Sequence, residues 1–227
     1  MKIALVALLG ILVAGTETAE AKCGCGSWLL TEKVVEGKPY VVVEAACGLG
    51  GKPAPAKITL ADSRGKPIPA TVVTTHDGYS STVQYVFSPD RPLAPGNYQV
   101  TVDGAATSKL ELEVVAASPG ATPPRWTAAA KVVHQEQIEY GCGPGKAVEI
   151  LAGTDSTLAF VELTDAGKQR MAGYVKVDKG TLRIGHGMCA GAFPLVRGHG
   201  YTAQITLLAP ERGTSSSSKT VAFKYAP

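Results

Sequence analysis

The sequence has no segment with apolar residues at helical spacing, and aromatic residues make up only 6% of its 227 positions. Against that stand 26 glycines and 15 prolines. Such a composition argues against a helical bundle and suits many short strands joined by turns. Basic charge is scarce and scattered, with a formal net charge of +3. A nucleic-acid surface would need Lys and Arg gathered on one face. There is no Gly-x-Ser-x-Gly elbow, His-Glu-x-x-His pair, phosphate-binding Walker loop or dinucleotide fingerprint, so no motif-borne catalytic class is supported. No apolar run beyond residue 21 is long enough for a membrane helix.

What is present begins with an export pattern. Lys2 supplies a positive start, Ile3 to Ala14 is a short apolar core, and Ala19-Glu20-Ala21 fits a small-x-small cleavage site. Residues 1–21 therefore read as a signal peptide, with Lys22 first in the mature chain. The residues before Cys23 do not match a lipid-attachment site.

Two stretches then repeat one another. Arg91 to Gly104 reads RPLAPGNYQVTVDG, and Phe193 to Leu208 reads FPLVRGHGYTAQITLL. Each has Pro-Leu, a glycine turn and a Tyr leading a strand. Pro95-Gly96 suits a type II turn. Tyr98, Val100 and Val102 alternate with polar residues, as do Tyr201, Ala203, Ile205 and Leu207, so each set marks a buried face. A Tyr in that position resembles the tyrosine corner of sandwich folds, whose hydroxyl bonds to upstream backbone. Leu60 to Val72 also parallels Leu163 to Val175, each opening Leu-x-Asp before a polar turn, a hairpin signal. Cys47-Gly-Leu-Gly parallels Cys142-Gly-Pro-Gly. A shared order of such features points to duplication.

ITLADSRGKPIPATV and YVFSPDRPLAPGNYQVTV (58–72 and 85–102) resemble the bacterial immunoglobulin-like domains of S-layer and other cell-surface proteins. CopC-like copper carriers share the terminal pattern. The resemblance covers Gly37 to about Val115 and, more loosely, Trp126 to Tyr225. It implies a sandwich of the envelope without catalytic activity, and no particular ligand.

The expected fold is all-β: two tandem immunoglobulin-like β-sandwiches at 22–115 and 126–227. The linker at 116–125, AASPGATPPR, reads as a short, semi-rigid spacer. The first half should hold seven strands, near Ser27–Val35, Tyr40–Ala46, Lys57–Asp62, Ala70–Thr75, Thr82–Phe87, Asn97–Asp103 and Lys109–Val115. The second should hold strands near Ala128–His134, Gln137–Tyr140, Thr157–Asp165, Met171–Val177, Thr181–Ile184, Tyr201–Leu208 and Thr220–Tyr225. Ala147 to Leu151 is ambiguous.

Five cysteines follow the signal segment, and an exported protein favours their oxidation. Cys142 and Cys189 are the only pair in the second half and are expected to bond. In the first half Cys47 can pair with Cys23 or Cys25, and the sequence does not choose. Cys23-Gly-Cys25 resembles the start of tissue inhibitors of metalloproteases, but a leading Lys22 would remove their chelating terminus. No metal site or cofactor is expected. The nearest approach is His186 with Met188 beside Cys189, a set of soft ligands that would suit Cu(I). His76, His134 and His199 have no ligand partner visible in the sequence, and His76-Asp77 reads as part of a turn.

The reading is an exported, non-enzymatic envelope protein with a binding or structural role, in the periplasm or outside the cell. Its partner would be an envelope or extracellular protein or a glycan, not nucleic acid. The alternative is a periplasmic copper-binding protein of CopC-like character.

Overall fold

The computed structural model describes residues 24–47, 57–103, 108–140 and 143–227. The chain is all-β, with no helix among those residues. In the first half the strands are β1 (Cys25–Leu29), β2 (Lys33–Val35), β3 (Val41–Cys47), β4 (Lys57–Asp62), β5 (Pro67–Ile68), β6 (Ala70–Asp77), β7 (Val83–Pro89), β8 (Gly96–Asp103) and β9 (Ser108–Val115). The second half has β10 (Lys131–Tyr140), β11 (Gly143–Leu151), β12 (Leu158–Asp165), β13 (Arg170–Asp178), β14 (Thr181–His186), β15 (Gly200–Ala209), β16 (Thr214–Ser215) and β17 (Lys219–Lys224).

In the first half a sheet of order β1-β3-β7-β6 faces one of order β2-β9-β8-β4-β5. Alternation along the strands sends Val41, Val43 and Phe87 from one sheet against Leu60, Val100 and Leu112 from the other. All six are fully buried. Side chains of this kind each contribute about 1.5–3 kcal/mol of burial, so this interior is what joins the two sheets.

The second half is one sheet folded over on itself. Its order is β10-β11-β14-β13-β12-β15-β16, with β17 also on β15. β13 makes the corner, pairing with β12 along Arg170 to Lys176 and with β14 only at Val177 and Asp178. Val148, Ile150 and Ile184 of one wing thereby meet Val161, Ile205 and Leu207 of the other. Across the open side, the Tyr225 hydroxyl donates to the Glu136 carbonyl at 2.6 Å.

Both repeated tyrosines bond to upstream backbone, in opposite senses. Tyr98 donates its hydroxyl to the Ala94 carbonyl at 2.8 Å, whereas Tyr201 accepts from the Val196 N–H at 2.8 Å. The turns before them differ. Gly198 has φ 85° and His199 N–H bonds to the Val196 carbonyl, as a type II turn requires. Gly96 has φ 149°, so Pro95-Gly96 is not the type II turn expected, and Gly96 already pairs with Val114.

Other expectations need correction. The single strand Ser27–Val35 is two strands in opposite sheets. Thr31 makes the crossing by taking the Val42 N–H on its hydroxyl at 2.8 Å. The hairpin expected over Leu60–Val72 closes with only two residues, Leu60 opposite Ile68 and Ala61 opposite Pro67. The chain then crosses at Pro69, which cannot donate to a ladder. Ala128–His134 and Gln137–Tyr140 are one strand, β10, with a bulge between Val132 and His134. The ambiguous Ala147 to Leu151 lies within β11, whose mixed pattern comes from burial on an inner wing.

Residues 116–125 contain no strand, but they lie along the body rather than away from it. Ala117 N–H donates to the Glu36 carboxylate, and the Thr122 carbonyl accepts from Thr214.

Candidate functional site

The central strands of the four-stranded sheet are buried on both faces. Val41 and Val43 face the first core, while Val42, Ala46, Val86 and Gln84 on the opposite face are also buried. What covers that second face is the second half of the chain.

The contact is built around one residue. Gln84 is 1% exposed. Its amide nitrogen donates to the Tyr174 carbonyl at 2.8 Å, and its amide oxygen accepts from the Tyr174 N–H at 2.7 Å. The side chain thus stands in for a peptide unit beside β13. Its second amide hydrogen goes to the Glu44 carboxylate at 2.8 Å. Burial pushes the Glu44 carboxyl up, and the bond from Gln84 partly offsets this.

The register explains the grouping. Trp28 lies opposite Glu44, Glu44 opposite Gln84, and Gln84 opposite His76, so four side chains form one row across β1, β3, β7 and β6. At its end the His76 ring rests against Phe160 and Tyr174, with centroids at 5.6 and 5.7 Å. The exchange is reciprocal, since His186 of the second half stacks on Tyr79 of the first at 3.7 Å. Burial lowers the pKa of both imidazoles; for His186 the Gly187 carbonyl opposes the shift and Lys146 adds to it. Tyr79 N–H also donates to the Gly191 carbonyl at 2.8 Å, and Gly191 N–H donates to the Thr82 hydroxyl at 3.0 Å. Gly78 is required there for space, because a Cβ would come 2.5 Å from the Gly191 carbonyl oxygen.

Along one side of this seam lie three clefts of about 520, 400 and 440 Å³. They share lining residues from one to the next. Glu32 and Lys176 line the first and second, and Thr31 lines the second and third. Each has contributions from both halves. Trp28 lines the first and is 47% exposed; Tyr40 lines the third and is 63% exposed. Lys176 and Glu32, shared by the first and second, pair with each other. Beyond them Val42, Leu158 and Leu208 line the apolar side of the third cleft, with Thr214 and Ser215 nearby.

Of the residues singled out from sequence, Cys25 is bonded to Cys47. That settles the choice for Cys47; Cys23, the other candidate, lies outside the described residues. Cys189 is also disulfide-bonded. Cys142, its expected partner, lies outside the described residues too. His186 is 5% exposed, and its Nδ1 donates to the Gly187 carbonyl at 2.7 Å. Met188 is partly buried close by. Among the described residues no three His, Cys, Asp or Glu side chains gather in a way that could hold a metal ion. His134 lies 3.7 Å from Glu136 and His199 3.8 Å from Asp165. His76 is the penultimate residue of β6 instead of sitting in a turn. Gln84, Trp28, Tyr40 and Tyr174 were not marked by sequence. The one available signal was β3, apolar at six of its seven positions, too continuous for a strand with one wet face.

No family model matches the chain, and no curated protein matches it. Among solved structures it is similar to a pullulanase from Anoxybacillus sp. LM18-11, at 10% identity and TM-score 0.30, over 86% of this chain and 25% of that one. It is similar to the adhesin InvE of Yersinia pseudotuberculosis at 13% identity and TM-score 0.28, over 88% of this chain and 60% of that one. The chicken interferon gamma receptor alpha chain gives 8% identity and TM-score 0.27, over 89% of this chain and 97% of that one. The chain thus spans about a quarter of the pullulanase. Similarity at this level assigns neither family nor activity.

Proposed function

We propose that the chain is an exported, non-enzymatic immunoglobulin-like protein of the bacterial envelope that acts as a binding module. The observation that carries this is the set of clefts preformed along the seam. Two all-β halves are held together by buried hydrogen bonds, and the surface they create jointly is concave and mixed in polarity. Ligand sites favour such places between domains. The Cys25–Cys47 bond supports an oxidising compartment, and the pattern of residues 1–21 supports a route to it. Among the described residues no helix is long and apolar enough to cross a membrane. Copper binding through His186 and Met188, the alternative, draws no support from a ring stacked on Tyr79 with Nδ1 committed to a carbonyl.

The test is fractionation of cells making the untagged full chain, with mass spectrometry of the product. A form beginning at Lys22, outside the cytoplasm and with Cys25 and Cys47 joined, is expected. A cytoplasmic chain retaining Met1, with both thiols open to alkylation, overturns the proposal.

A further inference from the structure

The two halves have separate cores with no residue in common. What neither half can do alone is cover the seam. Without the second half, Val42, Ala46, Val86 and the Gln84 amide would face water. The polypeptide joins the halves through 116–125, and it doubles back on itself there. Ala121 N–H donates to the Ser118 carbonyl at 3.1 Å, and Gly120 has φ 77°. With Pro119 before the glycine this is a type II turn, which takes a fixed φ at its second residue and φ > 0 at its third. Ala116 to Gly120 are exposed. The segment is tied to the body through Ala117 N–H on the Glu36 carboxylate and the Thr214 hydroxyl on the Thr122 carbonyl.

We infer that the seam is also an interface between copies of this chain: two molecules exchange second halves, each seated on the first half of the other, and the Pro119–Gly120 turn decides between closed monomer and exchanged dimer. The occupant follows from the fit of the seam. Gln84 takes an N–H and a carbonyl together at Tyr174, and Gly78 leaves room against the Gly191 carbonyl. Tyr79 receives the flat face of His186 at 3.7 Å. A second copy brings all of these groups and repeats every seam contact of the monomer, so exchange alters only the course of the linker. A short tether gives a chain's own second half an effective concentration of about 1 mM, which is the level a second copy has to match. Closure also depends on Gly120. A side chain there meets nothing within 4 Å, so a substitution acts through the backbone alone. Valine is strained at that φ and relaxed in an extended, proline-rich linker. Each opened turn is worth about tenfold. A dimer opens two, so its formation constant rises about a hundredfold.

The experiment uses the processed full chain as native protein, Gly120→Val and Gly120→Asn. Each is incubated as an equal mixture of light- and heavy-nitrogen batches from about 0.01 to 1 mM, a range that ends at the tether's effective concentration. Size separation with light scattering reads the dimer fraction. A carbodiimide then joins Lys176 to Glu32, which pair across the seam, as an amide, the reagent taking up the water released. Native protein is expected to dimerise only near the top of the range, and Gly120→Val at about a hundredfold lower concentration. Gly120→Asn should behave as native, because asparagine tolerates positive φ. The dimer should yield Lys176–Glu32 links between light and heavy chains. Circular dichroism reports whether each variant is folded, and if Gly120→Val is not, Gly120→Ala is read in its place. A folded Gly120 variant that stays monomeric across the range overturns the inference. So does a dimer whose Lys176–Glu32 links are all within one isotope, since that is two closed molecules touching elsewhere.

Discussion

Gln84 grips Tyr174 by both of its backbone polar groups, the N–H at 2.7 Å and the carbonyl at 2.8 Å, from 90 positions away in the chain. Gln84→Ala removes the amide and leaves buried groups unpaired on Tyr174. Stranded groups of this kind cost about 1–3 kcal/mol each. Gln84→Glu keeps the shape but loses the donor and sets a carboxylate against Glu44. Scanning calorimetry should show one cooperative transition for the native chain and two for either variant. If both variants melt as the native protein does, the clasp contributes nothing to joining the halves.

Gly78→Ala attacks the same seam from the other end. The new methyl has no room beside the Gly191 carbonyl, and that oxygen belongs to backbone, not to a side chain that can swing away. The expected cost is about 1–3 kcal/mol, as for other overpacked sites. Hydrogen exchange should quicken at Tyr79 and Gly191 while β8 and β15 stay protected. Unchanged exchange at Tyr79 would contradict the tightness of this contact.

Acid should weaken the seam. The folded-state pKa of His76 and of His186 lies below the ordinary value, chiefly through burial. The unfolded chain then binds more protons than the folded one, so their contribution is present above the ordinary imidazole pKa and lost as pH falls through the folded value. The melting temperature should drop as pH falls below about 6.5, and His76→Gln should make that drop shallower. Glu44 works in the opposite sense. Its pKa is raised by burial, so its contribution is present below the ordinary carboxyl range and lost as pH rises through the folded value. Glu44→Gln should therefore stabilise the protein at neutral pH. Thermal melts from pH 4.5 to 8, a range chosen to bracket about two units around imidazole titration, read both effects. A flat profile would mean that neither burial persists in solution.

The two repeated tyrosines should respond unequally to loss of the hydroxyl. Tyr201→Phe strands the Val196 N–H beside a ring that is 3% exposed. Tyr98→Phe frees only an exposed carbonyl at Ala94. The first should cost about 1–3 kcal/mol and the second less than about 1 kcal/mol. Chemical denaturation of each variant decides; equal losses would show that the direction of the bond is immaterial.

We propose that Cys189 is bonded to Cys142. β11 and β14 pair with Lys146 opposite His186, and β11 runs back to Gly143, next to Cys142, as the other strand runs on toward Cys189. The loop so closed holds 46 intervening residues (189 − 142 − 1). Loop-closure entropy for that length is worth roughly 4 kcal/mol. Peptide mapping of unreduced, alkylated protein should yield the linked pair, and the double Cys→Ser variant should melt well below the native chain. Recovery of Cys189 linked to Cys23 would overturn the assignment.

Much of this fold was legible in the chain because strand burial is a local property. An alternation of two in Tyr98-x-Val100-x-Val102 or Ala203-x-Ile205-x-Leu207 places each side chain without reference to distant residues. Six strands of the first half were found to within two residues for that reason. The failures occurred where a strand answers to more than its own pattern. Thr31 divides the first strand because Val42 needs its hydroxyl, and the bulge at Val133 lets β10 run where two strands were expected. The candidate site was legible only in part. Cys25, Cys47, Cys189 and His186 were visible as residue types with chemistry. Gln84 was not, since a glutamine in a strand reads as a wet position.

The amino-acid order on its own established an all-β chain with no catalytic motif, two repeated Tyr strands, and an export pattern at residues 1–21. Those follow from composition, spacing and local alternation. The covering of the outer face of β3 and β7 by the second half, the reciprocal seating of His76 and His186, and the clefts along the seam came from packing. Each depends on residues far apart in the chain, and whether a face is wet or dry is set by what folds against it, which no local pattern records.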